Sequence, residues 1–162
     1  MEFFNYNKEK FEKKGFRAIW LQYYLKEWTN ASNAEFAKNH GIKFRSPGFE
    51  ESIGTYVPYS QLDSDLVQVN QMLKAVKFGF GQCLDHAAYD LREGRITRKE
   101  AIELVLKYDG KVSEKFVKEF CEYIEISLDE FWENVEKFRG SMWEKNDSGE
   151  WSNKFHQMLK QL

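Results

Sequence analysis

Four helix starts led by Ser or Thr, each followed by its own apolar residues, constrain what this chain can become. Thr97 with Glu100, and Ser127 with Glu130, have the spacing of a capping box. In that arrangement the hydroxyl accepts an amide of the first turn while the carboxylate reaches back. Ser113 is a third start, and Thr29-Asn30-Ala31-Ser32-Asn33 offers a fourth before a short helix stopped by Gly41. Apolar residues then recur at steps of three and four: Ile102, Val105 and Leu106; Phe116, Val117, Phe120 and Ile124; Leu128, Phe131, Trp132, Val135 and Phe138. Two uncapped stretches carry the same pattern, Leu62, Leu66, Val69, Leu73 and Val76, then Leu84, Ala87, Ala88 and Leu91. A last amphipathic stretch, with Trp151, Phe155, Met158 and Leu162, follows the polar turn Asn146-Asp147-Ser148-Gly149. Steps of three and four put such residues on one helical face, so a mainly α protein is expected.

The first quarter reads differently. Phe16 to Leu25 is an aromatic, β-branched run that fits a buried strand or a short helix, and periodicity does not choose between them. Residues 41–59 hold both prolines, Pro47 and Pro58, with Gly48 and Gly54, and show neither period. A loop of this length in a compact protein either serves a site or joins two lobes.

The 162 residues allow one domain with a core of its own. A formal net charge of -2 argues against a nucleic-acid-coating protein, which needs excess Lys and Arg on one face. No apolar run approaches the roughly 18 to 20 residues that span a bilayer, and MEFFNYNKEKFEKK is too charged for a signal peptide. A cytoplasmic location is expected. Cys83 and Cys121, far apart, read as buried reduced thiols. Cys83 and His86 share a helical face, but no second pair stands at ligand spacing, so no metal site is expected.

Two features carry candidate chemistry. Lys77-Phe78-Gly79-Phe80-Gly81-Gln82 places two glycines just before a helix start, where backbone amides and the helix dipole favour an anion and Lys77 adds a charge; the alternative is that the glycines merely allow a tight interhelical turn, glycine's main use being conformational. Arg92, Arg95 and Arg98 cluster around Gly94, as phosphate or carboxylate forks or as solvated helix-end charges.

The stretch KFGFGQCLDHAAYDLREGRITRKEAIELVLKYDG, then EFWENVEKFRGSMW, and before them GTYVPYSQLDSDL, resemble the C-terminal region of the N-acetyl sugar amidotransferases of bacterial lipopolysaccharide and O-antigen synthesis. In that family an N-terminal α/β ATP-pyrophosphatase domain binds ATP through a Ser-Gly-Gly-x-Asp-Ser loop, which does not occur here. A second departure is Gln82, where the family pattern leads one to expect arginine. The resemblance implies a helical domain at 61–162 behind a short remnant of the α/β lobe at 1–60, in a fragment, a separately encoded half or a chain that has lost the activity. It implies conversion of a sugar N-acetyl group to acetamidino, with ATP and Mg used by the complete enzyme and ammonia from a glutaminase-type subunit. Gly54, Thr55 and Tyr56 would lie on a substrate-facing loop, and Lys77, Gly79, Gly81, Arg92, Arg95 and Arg98 would meet anionic substrate groups. Partners expected are that subunit, and either the N-terminal half of the enzyme or a second copy. A non-catalytic helical binding or assembly module is the alternative.

Overall fold

The computed structural model describes residues 8–15, 17–25 and 27–162. It divides into two units, Met1–Ile42 and Lys43–Leu162, so the loop after Gly41 goes with the later helices. Expectations that fall on residues 1–7, Phe16 and Lys26 lie outside the described residues.

In the first unit, α1 (Lys8–Lys13) precedes a 3-10 turn at Leu21–Tyr24, and α2 spans Asn30–Asn39. Thr29 starts α2 as the cluster of cap candidates suggests: its hydroxyl accepts the Ser32 amide, and Ser32 answers the Thr29 amide. The run 17–25 therefore takes neither open alternative in full. It is extended backbone around one 3-10 turn, and Ile19, Trp20, Leu21, Tyr23, Tyr24 and Leu25 are all exposed.

The second unit is helical. A short α3 (Glu50–Ile53) interrupts the loop, and α4 (Leu66–Phe78), α5 (Gln82–Arg92), α6 (Arg98–Tyr108), α7 (Glu114–Tyr123) and α8 (Leu128–Lys137) follow. Strands β1 (Trp143–Lys145) and β2 (Trp151–Asn153) then lead into α9 (Lys154–Leu159). The hydroxyls predicted to cap do so: Thr97 accepts the Glu100 amide while the Glu100 carboxylate takes the Thr97 amide, Ser113 accepts from Lys115, and Ser127 accepts from Glu130. Caps of this kind contribute about 1 kcal/mol each. Leu62 precedes α4 and is exposed, as are Ile124, Trp132 and Phe138 at the margins of their stripes. Each helix here buries a narrower face than the apolar residues alone suggest.

Two apolar clusters form the core. Val69, Met72 and Val76 of α4 pack with Val117 and Cys121 of α7 and with Phe131 and Val135 of α8. Cys83 and Ala87 of α5 pack with Ala101 and Val105 of α6, and Phe155 and Leu159 of α9 close over them. Truncating a buried ring such as Phe131 to alanine typically costs 3–5 kcal/mol, about.

Residues 143–153 correct the expectation of a continuous amphipathic helix from Trp151. They form an antiparallel hairpin with Trp143 opposite Asn153 and Lys145 opposite Trp151. Strands of three residues are too short to display alternation. The hairpin segment completes α4, because the Trp143 indole donates to the Ala75 carbonyl at 3.1 Å, the Gly140 amide to that of Val76 at 3.1 Å, and the Asn153 side-chain amide to that of Gly79 at 2.8 Å. A helix leaves its last carbonyls unpaired, and here later parts of the chain supply donors to Val76 and Gly79 while Trp143 adds a second donor to Ala75. Gly79 itself has φ +82°, and a Cβ there would collide with Met142.

Candidate functional site around the Gly54-Thr55-Tyr56 loop

Gly54 ends α3 in the left-handed region (φ +66°) with its α-carbon against the Lys111 backbone, where any Cβ would collide with the carbonyl. Only glycine makes both the turn and the contact without strain. The chain leaves it as Thr55-Tyr56-Val57, and α5 holds this segment through side chains one and two turns apart.

Thr55 is fully buried, its Oγ1 2.7 Å from His86 Nδ1. Oγ1 also accepts the Val57 amide at 3.4 Å, and a hydroxyl that donates to Nδ1 goes with a ring proton on Nε2. Burial pushes the His86 pKa below its usual value, with Lys74 adding to the shift against Asp85 and Asp90. One turn on, the Tyr56 hydroxyl donates to Asp90 Oδ2 at 2.6 Å. Burial raises the Tyr56 pKa first, and the Asp90 hydrogen bond and charge raise it further. Asp90 Oδ1 accepts from Arg95 Nε at 3.1 Å, and Arg95 also pairs with Glu93. Thr55, Tyr56 and Arg95, three of the expected site residues, thus meet through His86 and Asp90.

A second network lies beneath. Gln82 is buried and donates to the Ile53 carbonyl and to Gln68 Oε1 at 2.9 Å, while its own carbonyl accepts from Ser60 at 3.0 Å. Gln82 is therefore a brace, fastening both ends of segment 53–60 to α4 and α5. An arginine here would bring a buried charge into a set of neutral partners, a costly change.

The amides around Gly81 are already engaged. Asp109, just beyond α6, accepts from Gly81 at 2.7 Å, Cys83 at 2.9 Å and Leu84 at 3.2 Å. A protein carboxylate fills the place where a phosphate would stand. Burial holds the Asp109 pKa above the usual carboxylate range despite these three donors. The amide of Gly79 belongs to α4, donating to Ala75 at 2.8 Å.

The remaining cations point to different surroundings. Lys77 lies over the Phe78 ring at 5.3 Å and lines a cavity with Leu73, Phe131 and Phe138. Arg92 stacks on Tyr89 at 4.8 Å and donates to the Ala88 carbonyl. Arg98 borders a separate cavity between α5, α6 and α9. Cys83 donates to the Leu104 carbonyl, and burial pushes its thiol up to about 12. Sequence reasoning missed Asp90 and Asp109 as organising groups.

Among the described residues no helix is long and apolar enough to cross a membrane. No curated protein matches the chain. Residues 50–160, which hold the braced loop, α4 to α8 and the hairpin, match the family described as LPS biosynthesis protein WbpG-like, C-terminal domain. That match takes in most of the chain, which belongs to this family of lipopolysaccharide biosynthesis proteins.

Proposed function

We propose that this chain is the C-terminal part of an ATP-dependent N-acetyl sugar amidotransferase, presenting the Gly54-Thr55-Tyr56 loop as a preformed wall of the sugar site. The observation that carries this reading is the bracing of the loop. Thr55, Tyr56 and Ser60 are each tied to an α5 side chain, so the loop is ordered without ligand. Preorganised positioning groups of this kind lower the ordering cost of binding. In the complete enzyme, ATP activates the acetyl carbonyl oxygen by adenylation, and ammonia from a glutaminase-type subunit displaces AMP to leave an acetamidino group. The residues of this chain do not fit ATP itself: the Ser-Gly-Gly-x-Asp-Ser loop is absent, and Asp109 occupies the glycine-turn amides. ATP with its Mg belongs to a complementing lobe, and no step of the adenylation is assigned here. Arg92, Arg98 and Lys77 remain as candidates for anionic substrate groups, while Arg95 serves the loop.

The experiment is complementation. The chain is mixed with a separately produced ATP-pyrophosphatase half carrying the missing loop, and pyrophosphate release is followed with a nucleotide-linked N-acetyl sugar. Release that needs both parts, and falls with Tyr56→Phe, supports the reading. Release by the chain alone, tracking its concentration through repurification, would refute it.

A second reading, a non-catalytic assembly module, draws on the exposed aromatic run around Trp20 and Tyr24. Capture of a glutaminase subunit with no sugar-dependent pyrophosphate release in the mixture would favour it.

A further inference from the structure

The cavity bordered by Arg98 has a character unlike the loop site. Its wall is hydrocarbon, from Leu84, Ala88 and Leu91 on α5, Ile102 and Val105 on α6, and Leu159 on α9. It opens because alanines (Ala87, Ala88 and Ala101) stand where the two helices face each other, so their packing leaves space of about 150 Å³. That is room for a hydrocarbon group of about benzene's size. Well-packed helix pairs seldom leave such a space.

Polar groups gather at one end only. Arg98, the first residue of α6, is exposed and has no ion-pair or hydrogen-bond partner among the described residues. A groove of about 570 Å³ shares Arg98, Ile102, Leu159 and Leu162 with the cavity and adds Lys99 and Lys160, with Glu103 the one acidic side chain among its described lining residues. The space is thus apolar within and positive at its mouth.

We propose that the cavity and groove bind an anionic amphiphile, its hydrocarbon end between α5 and α6 and its phosphate or carboxylate head against Arg98, Lys99 and Lys160. A sugar ring would demand hydrogen-bonding groups that the cavity wall lacks. A free phosphate would gain nothing from the hydrocarbon wall. This site stands apart from the braced loop, gives Arg98 to the amphiphile head rather than to the sugar substrate, and does not rest on the amidotransferase reading.

The test uses n-octyl phosphate below its micellar concentration, titrated calorimetrically into the whole chain, with octanoate, 1-octanol and inorganic phosphate as separate arms. Saturation at one octyl phosphate per chain is expected, with 1-octanol and inorganic phosphate each weaker by roughly tenfold or more, the worth of one charge-assisted contact or of the buried hydrocarbon. The octanoate arm tells whether the head site prefers phosphate to carboxylate. Arg98→Gln, a surface change that leaves the core intact, should bring octyl phosphate down to the affinity of 1-octanol. Ala88→Leu should fill the cavity and abolish binding of both. No saturable binding would overturn the proposal. So would 1-octanol or inorganic phosphate binding as tightly as octyl phosphate, or Arg98→Gln binding unchanged.

Discussion

Tyr56 and Asp90 are joined by a 2.6 Å hydrogen bond across 34 residues of chain. The other oxygen of that carboxylate accepts from Arg95, so one side chain on α5 sets both the Gly-Thr-Tyr loop and the turn into α6.

Removing this joint should cost more than either of its halves. Asp90→Ala leaves a half-buried phenol without its acceptor and Arg95 with Glu93 alone, and should destabilise by about 2–3 kcal/mol, while Tyr56→Phe should cost about 1 kcal/mol. The double variant should lose less than the two single losses combined, because both break the same bond. Urea unfolding of the four proteins checks this, and strict additivity would show that the two side chains act independently.

Acid should weaken the fold through His86. Its pKa is lowered by burial from 6.5, so the unfolded chain takes up the proton first. Stability from the neutral ring is then complete above about pH 6.5 and is lost as pH falls through the folded pKa. His156 is shifted the same way by burial. Urea midpoints between pH 8 and pH 5 should decline, and His86→Gln should flatten the decline without abolishing it. An unchanged slope in that variant would place the acid sensitivity elsewhere.

Cys83 acts at the alkaline end. Burial, then the Asp109 charge, pushes its thiol from 9.0 up to about 12, so above about pH 9 the unfolded chain loses a proton that the folded chain keeps, and stability declines. Neutral Cys83 should therefore react with a thiol reagent only as fast as the domain opens. Labelling followed by mass spectrometry at increasing urea reads that rate.

Asp109 should be among the most sensitive exchanges. Asp109→Ala uncovers the buried amides of Gly81, Cys83 and Leu84 and should cost at least about 3 kcal/mol, while Asp109→Asn keeps one acceptor oxygen and should cost roughly half as much. Added phosphate offers a further reading. If the vacated amides form a usable anion cradle, millimolar phosphate should raise the Tm of Asp109→Ala more than that of the parent.

Self-association is the expected fate of the run 17–25. Trp20, Tyr23, Tyr24 and Trp28 are 52–86% exposed, which at about 200 Å² per ring leaves on the order of 550 Å² open. Ile19, Leu21 and Leu25 bring that toward the roughly 800 Å² per partner of a stable interface. Residues 18–25 carry no charge, so two copies meet there without repulsion. Light scattering should show a dimer at micromolar concentration, and Trp20→Ala with Tyr24→Ala should return it to monomer. A parent that stays monomeric at high micromolar concentration would assign the patch to a different chain.

Local signals in the sequence carried over well, and distant ones did not. Thr97, Ser113 and Ser127 start the helices their spacing indicates, because a cap is decided within four residues. The family resemblance, carried by KFGFG and the Arg95–Arg98 junction, is matched by the family found over residues 50–160. Arg92, Arg95 and Arg98 look like one cluster in the sequence, yet one stacks on Tyr89, one turns to Asp90 and one borders a cavity. A helix end sends neighbouring residues in different directions, and spacing alone does not say which. The occupant of the glycine turn was equally hidden, since Asp109 lies 25 to 28 residues from the amides it accepts.

The capping of α4 from the hairpin sets an order of events during synthesis. Val76 and Gly79 wait for Gly140 and Asn153, 64 and 74 residues further along, whereas the start of α5 needs only Asp109. On the ribosome, α5 and α6 can settle while the end of α4 is still frayed, and the two halves lock only when Asn153 has emerged. A premature stop anywhere in the hairpin would then release a chain with its helices made and its centre unfastened, a natural substrate for quality-control proteases.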